Sequence, residues 1–167
     1  MRGWTILTTL GLCLAACGGD EVSGTFEDEE GRQGSYTVDR DGQRTDMKIR
    51  TEEGDIDIRS GPEVTAELPE GFSLYPGARI VNSTVMRGDA SGQEGAMLVF
   101  TSSASPEKLI SYYRDQAEDA GIEIQMETTA GGSRMIGGEG PDGLSFSFSA
   151  NEAGDETTGT LLIGREG

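Results

Sequence analysis

Three aspartates near a glycine form the strongest candidate for a metal site in this sequence of 167 residues: Asp39, Asp41 and Asp46, close to Gly42. Calcium prefers several closely spaced oxygen ligands around a glycine turn. The segment lacks, however, the full alternation of an EF-hand loop and the glutamate that closes such a loop. A turn between two strands explains the same residues. We therefore predict no metal site and keep the three aspartates only as a candidate.

Other side chains with reactive groups lack the partners that a reaction needs. Asp55 and Asp57 share one sheet face if residue 56 lies in a strand, but nothing apolar nearby would raise the pKa of either carboxyl group. The chain contains no histidine, which removes the commonest general base and the commonest ligand of transition metals. No Gly-x-Ser-x-Gly segment exposes a nucleophilic serine. We predict a protein that is not an enzyme, with no catalytic residue and no cofactor.

Composition narrows the possible partners further. The glycine clusters at 131–132 and 137–140 do not join a strand to a helix, so we expect loops there rather than phosphate-binding sites.

The chain has 30 acidic and 13 basic residues and a net charge of −17, which repels nucleic acids and anionic lipid surfaces. We expect no nucleic-acid partner, and a link to a membrane must come from an attached lipid.

The N-terminus has the pattern of a secretory signal. Arg2 gives a positive start, residues 4–14 are uncharged and mostly apolar, and two alanines precede Cys17. The apolar run is shorter than the roughly 20 residues that span a bilayer. Cleavage before Cys17 also removes Cys13, so the mature chain would keep one cysteine and could form no internal disulfide.

The segment Leu14-Ala15-Ala16-Cys17 resembles the lipobox of bacterial lipoproteins. The resemblance implies cleavage after Ala16, a diacylglycerol on the Cys17 thiol and acylation of the new amino group, with palmitate as the typical chain. Two or three acyl chains hold a protein stably on a membrane, whereas one does so only marginally. Gly18 stands where an aspartate often marks retention in the inner membrane, so the resemblance implies the outer membrane of a Gram-negative cell, facing the periplasm. The alternative is an ordinary secreted protein cut after Ala16.

After Cys17, an acidic segment is followed by a segment with alternating apolar and polar residues, and then by a longer domain. The first of these segments is acidic and poor in apolar residues, which favours a flexible tether. Apolar and polar residues then alternate in three short stretches separated by turns such as Asp41-Gly42, and this predicts a small β-meander. The predicted order is a signal peptide (1–16), a lipidated cysteine with an acidic tether (17–34), a small β-meander (35–66), an α+β domain (67–164) and a tail (165–167).

The α+β domain is predicted around one helix. Ser105 suits an N-cap, Pro106 suits the first helical position, and Gly121 suits a left-handed C-terminal cap. The apolar residues between them fall on one face, which predicts an amphipathic helix over about 106–120. Alternating patterns predict strands at 80–86, 96–101, 122–124, 135–136, 144–149 and 161–163. The fold class expected is α+β, an antiparallel sheet with this helix packed on one face.

A second resemblance covers roughly residues 68–164. Tyr75-Pro76-Gly77-Ala78, followed by Ser105-Pro106-Glu107 and Tyr112-Tyr113-Arg114, resembles a domain of uncharacterised bacterial lipoproteins. Its Pro-Gly pair suits the centre of a type II turn. The resemblance implies an α+β periplasmic domain and no particular activity.

Together these observations predict a lipid-anchored envelope protein that acts as a non-enzymatic binding or structural module. Its partners are the membrane, through a lipid on Cys17, and an envelope protein of unspecified identity. The alternative is a periplasmic protease inhibitor or a small-ligand-binding or sensor domain, because a helix over an antiparallel sheet also occurs in those classes. An apolar pocket between helix and sheet would favour a ligand, and a filled core with an exposed apolar edge would favour a protein partner.

Overall fold

The computed structural model describes residues 21–27, 32–39, 41–51, 54–88 and 94–165. These residues form ten strands, one α-helix and a short 3-10 turn. In chain order the strands and the helix are β1 (Glu21–Glu27), β2 (Gln33–Asp39), β3 (Thr45–Thr51), β4 (Gly54–Gly61), β5 (Arg79–Gly88), β6 (Glu94–Ser102), α1 (Pro106–Asp119), β7 (Glu123–Ala130), β8 (Ser133–Glu139), β9 (Leu144–Ala153) and β10 (Glu156–Arg165), and the 3-10 turn is Pro141–Gly143. In these parts of the chain no helix has the length and apolar character to cross a membrane.

All ten strands belong to one open antiparallel sheet in the order β1-β2-β3-β4-β5-β6-β10-β9-β8-β7. The chain runs from strand to neighbouring strand up to β6 and then crosses one face of the sheet as α1. It begins again at the far edge with β7 and returns through β8 and β9, so that β10 pairs with β6. The α+β class and the single helix on one face are therefore as the sequence predicts.

The helix prediction is confirmed, including its ends. Pro106 is the first helical residue, and the carbonyl of Ser105 accepts the first helical hydrogen bonds from Lys108 and Leu109. Gly121 has a φ of 78° and follows the last turn. The amide of Ile122 donates to the carbonyl of Ala117 at 2.8 Å, and the amide of Gly121 donates to the carbonyl of Glu118 at 3.0 Å. A left-handed glycine with this pair of bonds is the usual way to end a helix without unpaired carbonyls.

The predicted strands are present, but several are longer than expected. The hairpin turn at Gly131-Gly132 is confirmed, whereas Gly137 and Gly138 lie inside β8 and do not form the expected loop. Gly138 is needed there because a Cβ at this position would collide with the carbonyl oxygen of Glu123 across a bulge in β7. The Pro76-Gly77 turn is also present, with the amide of Ala78 bonded to the carbonyl of Tyr75 at 3.0 Å.

The acidic segment before the meander differs from the expected tether in its described part. Residues 21–27 form the edge strand β1, which pairs with β2 along its full length. Alternation explains this strand, because Val22, Gly24 and Phe26 lie on one side and the Tyr36 ring of β2 covers Gly24. Residues 17–20 and 28–31 lie outside the described residues. Because β4 pairs directly with β5, the strands after β1 continue the main sheet and are not set apart as a separate meander.

The core lies between α1 and the sheet. The first strands contribute little to it, and its residues come mainly from β6, β8, β9 and β10. On the sheet the buried apolar residues are Ala96, Leu98, Phe100, Ile136, Leu144, Phe146, Phe148, Ala150, Leu161 and Ile163, and on α1 they are Leu109, Ile110, Tyr113 and Ala117. Phe72 and part of the 62–78 segment, which connects β4 to β5, complete this layer.

The strands β1 to β5 carry most of their larger apolar side chains on the side of the sheet that faces away from α1. Directly paired residues of antiparallel strands lie on the same side of a sheet, so the register fixes the side of every residue. From β1 to β5 the larger apolar side chains on the side away from α1 are Val22, Phe26, Tyr36, Val38, Met47, Ile49, Ile56, Ile58 and Met86. We call this surface the outer apolar face. The opposite side of β1 to β4, which is the α1 side, carries the charged residues of these strands.

Candidate functional site

The three aspartates of the metal candidate lie around the turn between β2 and β3. Asp39 ends β2, and its carbonyl accepts a hydrogen bond from Gly42, whose φ is 66°. The carboxylate of Asp46 contacts the Nε atoms of Arg44 at 2.9 Å and Arg59 at 3.6 Å. Within the described parts of the chain no three histidine, cysteine, aspartate or glutamate residues are grouped as metal ligands. The guanidinium groups of two arginines thus neutralise the Asp46 carboxylate.

The charged side of β3 and β4 is a set of cross-strand ion pairs. Lys48 lies 3.3 Å from Asp55 and 3.7 Å from Asp57, and Arg50 lies 3.4 Å from Asp55. These two aspartates therefore share a face, as the sequence indicates, and both contact the same lysine. Exposed pairs of this kind contribute at most about 1 kcal/mol each. The arrangement orients the strands and offers no dry pair of carboxyl groups for acid–base chemistry.

Cys17, the predicted site of lipid attachment, lies outside the described residues. Its lipidation therefore stays a prediction.

The space under α1 is filled by aromatic side chains. Tyr113 is fully buried, with its ring centroid 4.2 Å from that of Phe148 and 5.9 Å from that of Phe100. Burial raises the pKa of the Tyr113 hydroxyl above its ordinary value of 10.0. The hydroxyl thus stays protonated and accepts a hydrogen bond from the amide of Tyr75 at 3.2 Å. Ligand binding between α1 and the sheet would require displacing this cluster.

Polar contacts fix the 62–78 segment against α1. The amide of Ser73 donates to Oε1 of Gln116 at 2.7 Å, and its hydroxyl lies 2.8 Å from that of Tyr112. Phe72 packs on Phe146 with ring centroids 5.6 Å apart. Earlier in the same segment, Leu68 lies with the sheet residues Ala96 and Ile163.

A groove of about 420 Å³ lies on the α1 side of the sheet, beside the part that the helix covers. Residues 67–70 form one wall, and β5, β6, β10 and the start of β9 form the rest. Its apolar lining consists of Leu68, Pro69, Val85, Met86, Ala96, Leu144 and Ile163. Three of these, Ala96, Leu144 and Ile163, are core residues, so the groove opens directly onto the hydrophobic core.

Charged residues of both signs surround the mouth of the groove. Arg87 and Glu67 form an ion pair of 2.9 Å that joins β5 to the 62–78 segment. Arg165 and Glu94 are cross-strand partners at the other side, and Glu70 adds a further carboxylate. Positive and negative groups nearly balance at the mouth, and apolar side chains form the floor beneath them. The volume lies within the range of small-molecule sites, which is about 300–1,000 Å³.

The sequence does not reveal this groove. Leu68, Ala96, Leu144 and Ile163 each have the pattern of ordinary core or strand residues, and they are separated by at least one whole element along the chain. Only the pairing of β10 with β6, together with the return of the 62–78 segment, brings them together. No local signal in the sequence specifies either arrangement.

One comparison with known proteins gives a match. A family model described as START domain-like matches residues 83–157, which run from the middle of β5 through α1 to the start of β10. No curated protein and no solved structure matches the chain. The matched residues contain α1 and seven of the fourteen residues that line the groove: Val85, Met86, Arg87, Glu94, Gly95, Ala96 and Leu144. The match covers 75 of the 167 residues, less than half of the chain.

Proposed function

We propose that this protein is a non-enzymatic binding module that holds a small apolar molecule in the groove beside α1. The observation that carries the proposal is the groove of about 420 Å³ between residues 67–70 and the sheet, whose floor is made of the core residues Ala96, Leu144 and Ile163. The START-like match supports it, because START-like domains generally bind ligands and the matched residues include seven of the fourteen that line the groove. Of the two alternatives for a binding role, a small-ligand-binding domain is thus favoured over a protease inhibitor.

The chemistry of the groove limits the class of ligand. Its floor consists of aliphatic side chains, which gain by removing apolar surface from water at about 25 cal/mol per Å². Arg87 is already paired with Glu67, so it provides little free positive charge for an anion. We infer a neutral ligand, mainly hydrocarbon in character, with a polar group directed towards the charged mouth.

A dye titration with a groove-filling variant tests this function. We expect Nile red, a neutral apolar dye, to bind the protein, and Ala96→Phe to weaken binding at least about tenfold, or about 1.4 kcal/mol. The physical reason is that Ala96 is 6% exposed in the groove lining, where a phenyl ring would occupy the ligand space. Ala130→Phe is the matched control, because Ala130 is exposed at the end of β7 and outside the groove. Equal affinities of the two variants would contradict the proposed site.

The lipid anchor is the second part of the proposal. A diacylglycerol on Cys17 and an acylated amino group would hold the chain on the periplasmic side of the outer membrane of a Gram-negative cell. The lipobox-like sequence supports this, and so does the acidic composition, which favours an attached lipid over an electrostatic contact with anionic lipids. Because β1 begins at Glu21, only residues 18–20 would separate the anchor from the sheet. The edge of the sheet would then lie about 14 Å or less from the anchored cysteine.

Fractionation of cells tests the anchor. We expect Cys17→Ala to move the protein from the membrane pellet to the soluble periplasmic fraction and to abolish incorporation of labelled palmitate. The reason is that all of the proposed lipid is attached to Cys17, the diacylglycerol to its sulfur atom and the further acyl chain to its amino group. Cys13→Ala is the matched control, because Cys13 lies in the segment that cleavage removes, and it should leave both readouts unchanged. Membrane retention of Cys17→Ala without any label would count against the anchor.

A further inference from the structure

The outer apolar face is a large surface that no described part of the chain covers. Its centre consists of Tyr36, Met47, Ile49, Ile56, Ile58 and Met86, on neighbouring strands β2 to β5. Most of these side chains are half-buried by one another within the same layer, and Met86 is 41% exposed. Contiguous apolar surfaces larger than a few hundred Å² are unusual on monomeric proteins and mark interaction sites.

The charged side chains of β1 to β4 all lie on one side of the sheet. On the described residues of β1 to β4, every charged side chain lies on the α1 side, and the outer apolar face carries none. The chain as a whole has 30 acidic residues and a net charge of −17. A neutral surface of this size in such an acidic chain indicates that the face is kept free of charges because it is buried in the functional state.

The layers of the domain also indicate that the outer apolar face is buried in the functional state. A sheet is stable when its apolar side packs against a second layer. The strands β6, β8, β9 and β10 obtain that layer from α1 on one side. The strands β1 to β4 have their charged side on the α1 side, so their second layer must come from the opposite direction. No described element lies there.

We propose that the second layer is another copy of this chain, packed face to face through the outer apolar face. The strands β1 to β5 have seven to ten residues each, and at about 3.3 Å per residue and about 4.8 Å between strands they give a footprint of roughly 600 Å². Met97, Val99 and Leu162 extend the same side across β6 and β10, to roughly 800 Å². That is the area per partner of a standard stable interface.

Charge explains why a second copy fits this face. Two chains of the same strong negative charge repel each other wherever carboxylates meet, and the outer apolar face is the large surface where such contacts are absent. A two-fold axis through the face brings identical neutral patches together, and two twisted sheets then pack about 10 Å apart with side chains interleaved. A basic partner, by contrast, would be attracted to the charged side of the sheet.

Sedimentation of the Cys17→Ala chain tests the dimer. We expect the mass of a dimer at micromolar concentration, and Ile58→Lys should weaken self-association at least about a hundredfold, because it places an ammonium group in the apolar contact. Thr37→Lys is the matched control: it adds the same charge to β2 on the opposite side of the sheet and should remain dimeric. Circular dichroism establishes that each variant is folded. Met86→Lys, at a more exposed site of the face, should also dissociate the dimer if Ile58→Lys does not fold.

Three results would overturn the proposal. The first is a chain that remains monomeric at every concentration, which would mean that another segment of the same chain covers the face. The second is an undisturbed dimer in a folded Ile58→Lys or Met86→Lys variant. The third is a monomer that floats with neutral phosphatidylcholine vesicles and loses this binding with Ile58→Lys, which would assign the face to a lipid surface.

Discussion

Replacing Tyr113 with alanine is expected to lower the free energy of unfolding by about 4 kcal/mol, the largest effect that we expect from a single side chain. Tyr113 is fully buried at the centre of the aromatic cluster, against Phe148 and Phe100. Truncation of a buried aromatic residue costs about 3–5 kcal/mol, because packing is lost and the cavity closes only in part. Tyr75 would also lose the acceptor of its amide hydrogen bond.

Chemical denaturation followed by circular dichroism measures this loss. Tyr113→Phe is the matched control, because it keeps the ring and removes only the hydroxyl, and it should cost about 1–2 kcal/mol through the unpaired Tyr75 amide. A loss below about 2 kcal/mol for Tyr113→Ala would mean that α1 contributes less to the core than its burial indicates.

Ionisation of the Tyr113 hydroxyl should also lower the stability of the protein at alkaline pH. Burial, partly opposed by the Tyr75 hydrogen bond, raises the pKa of Tyr113 above 10.0 in the folded state. A group whose folded pKa is raised contributes its full stability below the unfolded pKa and loses it as the pH rises above that value. The free energy of unfolding of the wild type should therefore decline above about pH 10, and more steeply than that of Tyr113→Phe.

Local features of the sequence predict the elements of this fold well. The helix ends where Pro106 and Gly121 place them, because capping depends on a few neighbouring residues. The strands follow from alternation, and even β1 has the signal in Val22 and Phe26. That signal is weak because glycine occupies the position between them and acidic residues surround the strand. A sequence dominated by acids therefore resembles a tether even where it forms an edge strand.

The way in which the strands and the helix are arranged in space is harder to predict from the sequence than the elements themselves. A period of two shows that a strand has one apolar side, but it does not show on which side of the sheet that surface lies. Ile58 and Phe148 have the same alternating pattern, yet Ile58 lies on the outer apolar face and Phe148 under α1. The groove depends in the same way on non-local pairing, since Ala96 and Ile163 become direct neighbours only when β10 inserts beside β6.

Replacing Gly138 with alanine is the second change for which we expect a large effect, a loss of about 3 kcal/mol. Gly138 lies in β8 opposite Ile124, where a bulge brings the β7 backbone unusually close. A Cβ atom at this position would collide with the carbonyl oxygen of Glu123, which is backbone and cannot rotate away. Overpacking of this kind costs about 1–3 kcal/mol when the structure has to shift. Here the shift would break the hydrogen bonds that hold the edge strand β7.

Gly95→Ala is the matched control for this prediction. Gly95 is also a strand glycine, in β6, but its added Cβ would lie 3.7 Å from Cε of Met86, at the end of a flexible side chain. We expect a change within about 0.5 kcal/mol, since alanine also restricts the unfolded chain. Hydrogen exchange should separate the two variants, because only Gly138→Ala should accelerate exchange of the β7 and β8 amides. Similar stability and exchange in both variants would show that the bulge tolerates a side chain.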